Sequence, residues 1–330
     1  SIDALGLYYA TGIAASSYYG TVVHNTGGSI SAWALGEATG IDAQALFGYA
    51  VVDNASGIEA VGLYAGATGI SAVVAYGDAV VHNSGDVYAG SIYGDAIGIY
   101  AYSVAGDAGV QNSGAISAVS YYGLADGIFA SGADVEVANS GAIESYGYTW
   151  SAGIEAQGSD SVSVDNSGDI NATTGAFVQA VDGYGDVVGY SAGGQAFGIY
   201  ATGGEGGATV ANSGDIEVQG GYVTGIEVQS GGDIGISNSG DIVAGSGLHS
   251  AAYYNPDTYT AYYVYTGTQV ATGINATSNG EGAHVGVSNS GDIVADGIFG
   301  ASGIAATASG LYGTASVTNT GDITASQYVG

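Results

Sequence analysis

The chain has 330 residues with 30 aspartates and glutamates, no lysine or arginine, and a formal net charge of −30. Without a cationic side chain to contact phosphate groups, nucleic-acid binding is excluded, and the polyanionic surface repels anionic membranes. No disulfide can form because cysteine is absent, and no apolar run reaches the roughly 18 residues that a membrane-spanning helix needs.

The pentapeptide Asn-Ser-Gly-Asp-Ile, intact at residues 166–170, recurs along the whole chain in full or looser copies. Successive copies lie 26 to 30 residues apart, except for two intervals of 46 and 51 residues. A period in this range, held over a whole chain, indicates a solenoid. The ten leading asparagines are Asn25, Asn54, Asn83, Asn112, Asn139, Asn166, Asn212, Asn238, Asn289 and Asn319.

Each repeat contains three short segments in a constant order: Asp-Ile-x-Ala, then Gly-Ile-x-Ala, then a segment that ends in the leading Asn. All three alternate with period two and are bounded by Gly, Asn, Ser or Asp, which is typical of strands. We therefore predict an all-β fold, a parallel β-helix (β-solenoid) with three short strands per coil and about ten coils. The rule for parallel crossovers predicts that it is right-handed. Residues 1–330 form a single domain of 26–30-residue coils.

The alternation also predicts which side chains face the interior. The Ile and Ala of both motifs point inward and make a thin, filled core, while the x residues, including Glu155 and Glu227, point outward. The leading Asn has inward parity, so the ten stacked amides are expected to hydrogen-bond to one another as a ladder. The glycines, which number 62, are interpreted as turn residues that need unusual φ and ψ angles.

The two long intervals are interpreted as loops inserted near residues 178–195 and 248–270. Long loops on a rigid scaffold often carry binding function, so the second is a candidate binding loop. The alternative is a loop that folds flat over one face of the rod. Its candidate tyrosines are Tyr253, Tyr254, Tyr259, Tyr262, Tyr263 and Tyr265.

Two columns of carboxylates are predicted along the rod, and neighbouring charges about 5 Å apart repel each other. Bound Ca²⁺ would relieve this repulsion, and solvated turns with splayed carboxylates are the alternative. The first column follows Asn-Ser-Gly or Asn-Thr-Gly in five successive coils and contains Asp169, Asp215, Asp241, Asp292 and Asp322. The second precedes each Asn by five to eight residues and contains Asp78, Asp107, Asp134, Asp160, Glu205, Asp233 and Glu281.

His24, Asp53 and His82 occupy the same repeat position, one residue before the leading Asn, in three consecutive coils. Two imidazoles beside a carboxylate could bind a transition metal such as Zn²⁺ or Cu²⁺. The alternative is a surface ion-pair arrangement. No nucleophile elbow, phosphate loop or zinc motif is present, and the sequence predicts that the protein is not an enzyme.

The repeat pattern, Gly-Ile-x-Ala, an acidic Gly turn and Val-x-Asn-Ser-Gly-Asp-Ile, resembles the passenger repeats of bacterial autotransporters and related large surface adhesins. The resemblance covers nearly the whole chain. It implies an extracellular, cell-surface β-helical rod used in adhesion, aggregation or biofilm structure. The chain departs from the family in lacking a C-terminal barrel, a capping segment and any Lys or Arg.

Both ends of the chain fall within a repeat, since Ser1-Ile2-Asp3-Ala4 is in phase with Ser29-Ile30-Ser31-Ala32. We therefore expect either a piece of a longer protein or a unit capped by its neighbour. The leading functional expectation is a structural rod whose partner is another copy of itself, stacked end to end into fibres. The alternative is an adhesin module that binds glycans or a host surface through the loop at 248–270 and through exposed tyrosines.

Overall fold

The fold was analysed in a computed structural model, which describes residues 1–182, 186–246, 249–255 and 260–328, without the side chains of residues 188, 252–255 and 260–262. The described chain is all strand and turn, and its parallel coils stack into a β-solenoid of about 11 turns. The predicted all-β solenoid is confirmed. At about 4.8 Å per coil the rod is roughly 50 Å long.

The first face of the solenoid is a parallel sheet of eleven strands, each beginning at the Ile or Val of the Asp-Ile motif. Neighbouring strands pair in register, so that Ile30 lies beside Ile58 and Ile58 beside Val87. Its strands are Ile2–Gly6, Ile30–Ala34, Ile58–Gly62, Val87–Ser91, Ile116–Ser120, Ile143–Tyr146, Ile170–Thr173, Ile216–Gln219, Ile242–Ala244, Ile293–Gly297 and Ile323–Gln327.

The second face carries the Gly-Ile motifs and the third face carries the leading asparagines. Six strands belong to the second face alone: Tyr9–Ser17, Ala96–Ser103, Gln195–Gly203, Tyr222–Ser230, Val270–Ser278 and Gly300–Ala308. Six belong to the third face alone: Thr21–Asn25, Ala108–Asn112, Gly207–Asn212, Ile234–Asn238, His284–Asn289 and Thr314–Asn319. Four continuous strands cover both faces: Glu37–Asn54, Ala67–Asn83, Ala125–Asn139 and Trp150–Asn166.

These four continuous strands depart from the prediction of three separate segments per coil. In Glu37–Asn54 and Ala67–Asn83 the backbone turns the corner at Gly48 and Gly77, whose φ angles are 87° and 137°. Pairing between the two coils continues through that corner, with Gly48 beside Gly77. A glycine in this left-handed region lets the strand bend without losing its neighbour.

The interior is a narrow column of Ile, Val and Ala. Ile41, Ile70 and Ile99 are fully buried at successive levels of the second face and pack against the isoleucines of the first. The core is so thin that the glycine of each Gly-Ile motif has no room for a side chain. A Cβ on Gly98 would lie 2.3 Å from Cγ2 of Ile116, and one on Gly127 would lie 2.3 Å from Cγ2 of Ile143.

This close approach corrects the interpretation of these glycines as turn residues. Positive φ angles occur at Gly28, Gly48, Gly77, Gly193, Gly207, Gly245 and Gly282, and none of these belongs to a Gly-Ile motif. The glycines of the motif lie within strands and are required by the width of the core, so their reason is steric contact across the interior.

The two inserted segments are also corrected, because they are not independent loops. Together they form one four-stranded antiparallel sheet, here called the flap, from Phe177–Asp182, Val187–Ser191, His249–Asn255 and Thr260–Gly267. Phe177–Asp182 of the first insertion pairs with Thr260–Gly267 of the second. Both insertions leave the rod at the corner between the first and second faces, and only one coil separates the two coils that carry them, so their strands can meet.

Candidate functional site

The ten leading asparagines form an uninterrupted hydrogen-bonded ladder inside the third face. Each Nδ2 donates to Oδ1 of the Asn in the next coil, and the nine distances are 2.7 or 2.8 Å. From Asn54 onward, Nδ2 also donates to the backbone carbonyl two residues ahead, as Asn166 does to Gly168 at 2.7 Å. This arrangement satisfies both amide hydrogens without water, and it continues past the 46- and 51-residue intervals.

The first acidic column is continuous and exposed along its five coils. Oδ1 of each aspartate accepts the backbone N–H of the aspartate in the next coil, for example Asp241 from Asp292 at 2.8 Å. The same bond joins Asp169 to Asp215, Asp215 to Asp241, and Asp292 to Asp322. The carboxylates therefore have a structural role in addition to their charge, since each satisfies one main-chain donor.

The second acidic column is divided, which corrects the prediction of seven stacked carboxylates. Asp78, Asp107 and Asp134 are joined by bonds from backbone N–H to Oδ1 at 3.1 Å. A register shift between Gly132 and Asp134 then places Ser161, rather than Asp160, beside Asp134. Further along, the pairing places Gly207 beside Ser161 and His284 after Asp233, so Glu205 and Glu281 lie in turns outside the column.

His24, Asp53 and His82 come together on the third face. Asp53 binds Nδ1 of His24 through Oδ2 and Nδ1 of His82 through Oδ1, both at 2.7 Å. All three side chains are exposed, and both carboxylate oxygens are engaged by imidazole. Within the described residues, neither these three nor any other group of three or more histidine, aspartate or glutamate side chains is arranged so that it could hold a metal ion.

Exposed aromatic residues form a stacked column at the corner between the first and second faces. The ring centroids of Tyr64 and Tyr93 are 5.5 Å apart and those of Tyr93 and Tyr122 are 5.2 Å apart, with interplanar angles of 7° and 9°. Because neighbouring rings cover each other's faces, this column presents ring edges and hydroxyl groups to solvent. Stacking of a sugar on these tyrosines, which belongs to the alternative function considered from the sequence, would require an open ring face.

The Tyr-rich candidate loop lies largely in the flap. Tyr263 is 45% exposed and Tyr265 is half-buried. The side chains of Tyr253, Tyr254 and Tyr262, together with residues 248 and 259, lie outside the described part of the chain. The flap is tied to the rod by Gln269, whose Nε2 donates to the carbonyl of Ala192 at 2.8 Å and whose Oε1 accepts from Tyr222 at 2.8 Å.

A group of buried carboxyls on the second face was missed by the sequence reasoning. Asp126, Glu155 and Glu227 are only 3%, 8% and 7% exposed, although strand alternation places Glu155 and Glu227 on the outer surface. Trp150 Nε1 donates to Oδ1 of Asp126 at 3.1 Å, and Glu155 accepts from Gln157. With no Lys or Arg in the chain, these carboxyls have only neutral donors.

The environment changes the acidity of this group. Burial raises the pKa of Asp126 well above its ordinary value, and the neighbouring Glu155 raises it further, although the hydrogen bond from Trp150 opposes both effects. Burial also raises the pKa of Glu155 and Glu227, against the hydrogen bonds from Gln157 and Asn275 respectively. Removal from water disfavours the charged form, and no protein cation compensates for it.

An aromatic cluster surrounds these carboxyls. The ring centroid of Trp150 lies 4.7 Å from that of Phe197 and 5.5 Å from that of Tyr200, and Phe197 and Tyr200 are 5.1 Å apart. In strand register, Tyr200 lies between Glu155 and Glu227, and Asn275 follows Glu227. Two stretches of the sequence, from Trp150 to Glu155 and from Phe197 to Glu227, contain both aromatic and ionisable residues. This combination is the sequence signal that would have identified the region.

Comparisons with known proteins identify no relative: no family model, no curated protein and no solved structure matches the chain. In the part of the chain that the structure describes, no helix is long and apolar enough to cross a membrane.

Proposed function

We propose that this protein is an extracellular structural rod of the bacterial cell surface, in which coils stack within and between copies to build fibres for adhesion, aggregation or biofilm structure. The observation that carries the proposal is the asparagine ladder, which runs through ten coils at constant hydrogen-bond distance. Such a ladder favours a stiff element of constant cross-section. The resemblance of the repeats to autotransporter passengers supports the location, and no catalytic step is part of the proposal.

Stacking between copies follows from the chemistry of one coil. Each internal coil presents an amide oxygen to the coil before it and an amide hydrogen to the coil after it, together with the parallel strand edges of all three faces. Two coils with these groups are complementary whether or not they belong to one chain. A second copy is therefore the partner that the proposal names.

Calcium is proposed as a bridging or screening ion for the first acidic column. Five exposed aspartates follow one another at about 4.8 Å per coil, and the chain has no cationic side chain to offset them. Oxygen-rich carboxylate surfaces suit Ca²⁺. The polyanionic surface would also hold neighbouring rods apart until cations screen it.

The test is electron microscopy of the purified chain, first with calcium and then with excess chelator. Long filaments of uniform width in both conditions are expected if coil stacking alone holds copies together. Filaments that separate in chelator would assign the ion a part in the junctions. Isolated rods of roughly 50 Å in both conditions would contradict fibre assembly.

A second candidate function, attachment to glycans or to a host surface through the Tyr-rich insertion at residues 248–270, is favoured by one observation. The two insertions combine into a flap outside the regular coils, which exposes Tyr190 and Tyr263 at 63% and 45%. Exposed tyrosines on an insertion attached to a regular scaffold suit recognition. Loss of surface attachment in a Tyr263→Ala variant that still forms fibres would support it, and unchanged attachment would exclude Tyr263 as a contact.

A further inference from the structure

A groove of about 350 Å³ crosses four successive coils of the second face, beside the base of the flap. Residues from the strands Trp150–Asn166, Gln195–Gly203, Tyr222–Ser230 and Val270–Ser278 line it. Three coil steps at about 4.8 Å give a length of roughly 14 Å. The groove is therefore elongated along the rod and open to solvent, with a shape that suits a short stretch of a linear polymer.

The aromatic lining of this groove differs from the stacked tyrosine column at the corner. Trp150, Phe197 and Tyr200 meet at interplanar angles of 41°, 85° and 56°, so they do not stack face to face as Tyr64 and Tyr93 do. Tyr222 is 39% exposed at the rim, where its hydrogen bond to Gln269 holds it. The groove thus offers fixed aromatic surface for an apolar ring face.

The polar lining of the groove consists of neutral amide and hydroxyl side chains, such as Gln195, Thr224 and Thr272, together with the carboxyl group of Glu227. Glu227 accepts from Asn275 Nδ2 at 2.9 and 3.0 Å and from Gln229 at 3.2 Å, and these amides keep their own oxygens as acceptors. An ionised carboxylate can accept about four hydrogen bonds. Glu227 can therefore accept a further hydrogen bond from a ligand, and the chain has no Lys or Arg to compete for it.

We propose that this groove is a binding site for a neutral glycan, with the apolar face of a sugar ring against Phe197 and Tyr222 and its hydroxyl groups donating to Glu227 and the adjacent amides. Sugar hydroxyl groups both donate and accept hydrogen bonds, which suits the carboxyl, amide and hydroxyl groups of the groove, and pyranose rings supply the flat apolar faces that aromatic side chains contact. The net charge of −30 excludes anionic glycans such as polyuronates. The inference is independent of fibre assembly, and it places carbohydrate recognition in the groove instead of on the outer surface of the flap.

The chain provides its own reporter for this site. It contains only two tryptophans, Trp150 in the groove and Trp33 on the first face. A Trp33→Phe variant leaves Trp150 as the sole tryptophan, and its fluorescence is titrated with neutral hexasaccharides of β-1,4-glucose, α-1,4-glucose and β-1,4-N-acetylglucosamine. Hexagalacturonate is the charge control. At least one neutral probe is expected to change the emission saturably, and hexagalacturonate is expected to have no effect.

Variants in the same background then locate the contacts. Tyr222→Ala and Glu227→Gln are each expected to weaken binding of the active probe by about tenfold, which corresponds to about 1.4 kcal/mol. The matched controls Tyr122→Ala and Glu217→Gln change exposed residues outside the groove and are expected to bind as the parent does. Circular dichroism confirms that each variant keeps its β structure.

Three results would overturn the inference. The first is the absence of any change in Trp150 emission with all three neutral probes. The second is binding that both groove variants retain. The third is binding that Tyr263→Ala abolishes while the groove variants keep it, which would assign recognition to the flap. Because the titration is made on isolated chains, its outcome does not depend on whether filaments form in the microscopy experiment.

Discussion

The asparagine column inside the third face and the column of Glu155, Tyr200, Glu227 and Asn275 on the second face both place one side chain in each coil. In the first column every coil carries the same residue, because an amide is both donor and acceptor and pairs with a copy of itself. In the second column a carboxylate can only accept. Exposed carboxylates do repeat in the first acidic column, where water solvates them, but the buried Glu227 has a donor residue beside it, Asn275.

This difference separates scaffold from candidate site. A self-complementary side chain can be repeated indefinitely at no electrostatic cost, so the asparagine column makes every coil alike. The second-face column has a different residue from one coil to the next. The buried carboxyls, the aromatic cluster and the groove all lie where the coils vary in this way. In a solenoid, departures from the repeat therefore indicate where specific chemistry lies.

The largest expected effect comes from breaking the uniform column with Asn166→Leu. Asn166 is fully buried, and its loss leaves the amide hydrogen of Asn139 and the amide oxygen of Asn212 without partners. Two buried unsatisfied groups are expected to lower the free energy of unfolding by about 4 kcal/mol. The measurement is the guanidinium midpoint. Asn171→Leu, an exposed position in the next strand, is the control, and equal midpoints for the two variants would contradict a stabilising ladder.

The next largest effect is expected at the glycines of the Gly-Ile motifs, where the narrow core leaves no room for a side chain. Gly127→Ala places a Cβ 2.3 Å from Cγ2 of Ile143 and 2.6 Å from the carbonyl oxygen of Gly153, so we expect a loss of about 1–3 kcal/mol. Gly109→Ala is the matched control, since its Cβ would meet only Val80 Cγ2 at 4.0 Å. Thermal unfolding of both variants measures the difference, and a harmless Gly127→Ala would show that the core can widen.

A smaller effect concerns the charge of the buried carboxyl of Asp126, which neighbours Glu155 of the second-face column. Because burial raises the folded-state pKa of Asp126, the stability it contributes is present below the unfolded pKa of about 3.9 and is lost as pH rises through the folded value. Asp126→Asn keeps an acceptor for Trp150 and cannot ionise, so it is expected to be more stable than the parent at neutral pH. Denaturant midpoints measured from acid to neutral pH should fall less for the variant.

Glu144→Gln is the control for that measurement, since Glu144 is exposed on the first face. A steeper fall in stability for Asp126→Asn than for the parent would contradict the raised pKa of Asp126.

The smallest effect is expected on the exposed acidic column. In Asp241→Asn the amide oxygen still accepts the N–H of Asp292, and repulsion from the neighbouring carboxylates decreases. We expect a slightly raised melting temperature without calcium, and a smaller increase on adding Ca²⁺ than the parent shows. Differential scanning calorimetry with Ca²⁺, and with Na⁺ at equal ionic strength, makes the comparison. An equal calcium response in both proteins would remove this column from the calcium proposal.

Repetition explains how much could be predicted. The strand order and the inward parity of Ile and Asn are each indicated about ten times by local alternation, and the position of Asp241 is repeated in five successive coils, so the fold and the ladder geometry follow from pattern alone. The second acidic column could not be predicted in the same way, because its turns differ in length and one register shift displaces Asp160. Handedness, calcium binding and assembly stay predictions.

The sequence by itself determined the solenoid, since each coil repeats the same short-range alternation and a residue's face depends only on its parity. Only the tertiary structure showed that the two insertions form the flap. Phe177–Asp182 pairs with Thr260–Gly267, which lies some eighty residues further along the chain, and no local sequence pattern specifies that pairing. The tertiary structure also decided that Asp126, Glu155 and Glu227 are buried. Outward parity places a side chain outside the core, but only its neighbours in the coils above and below determine whether water reaches it.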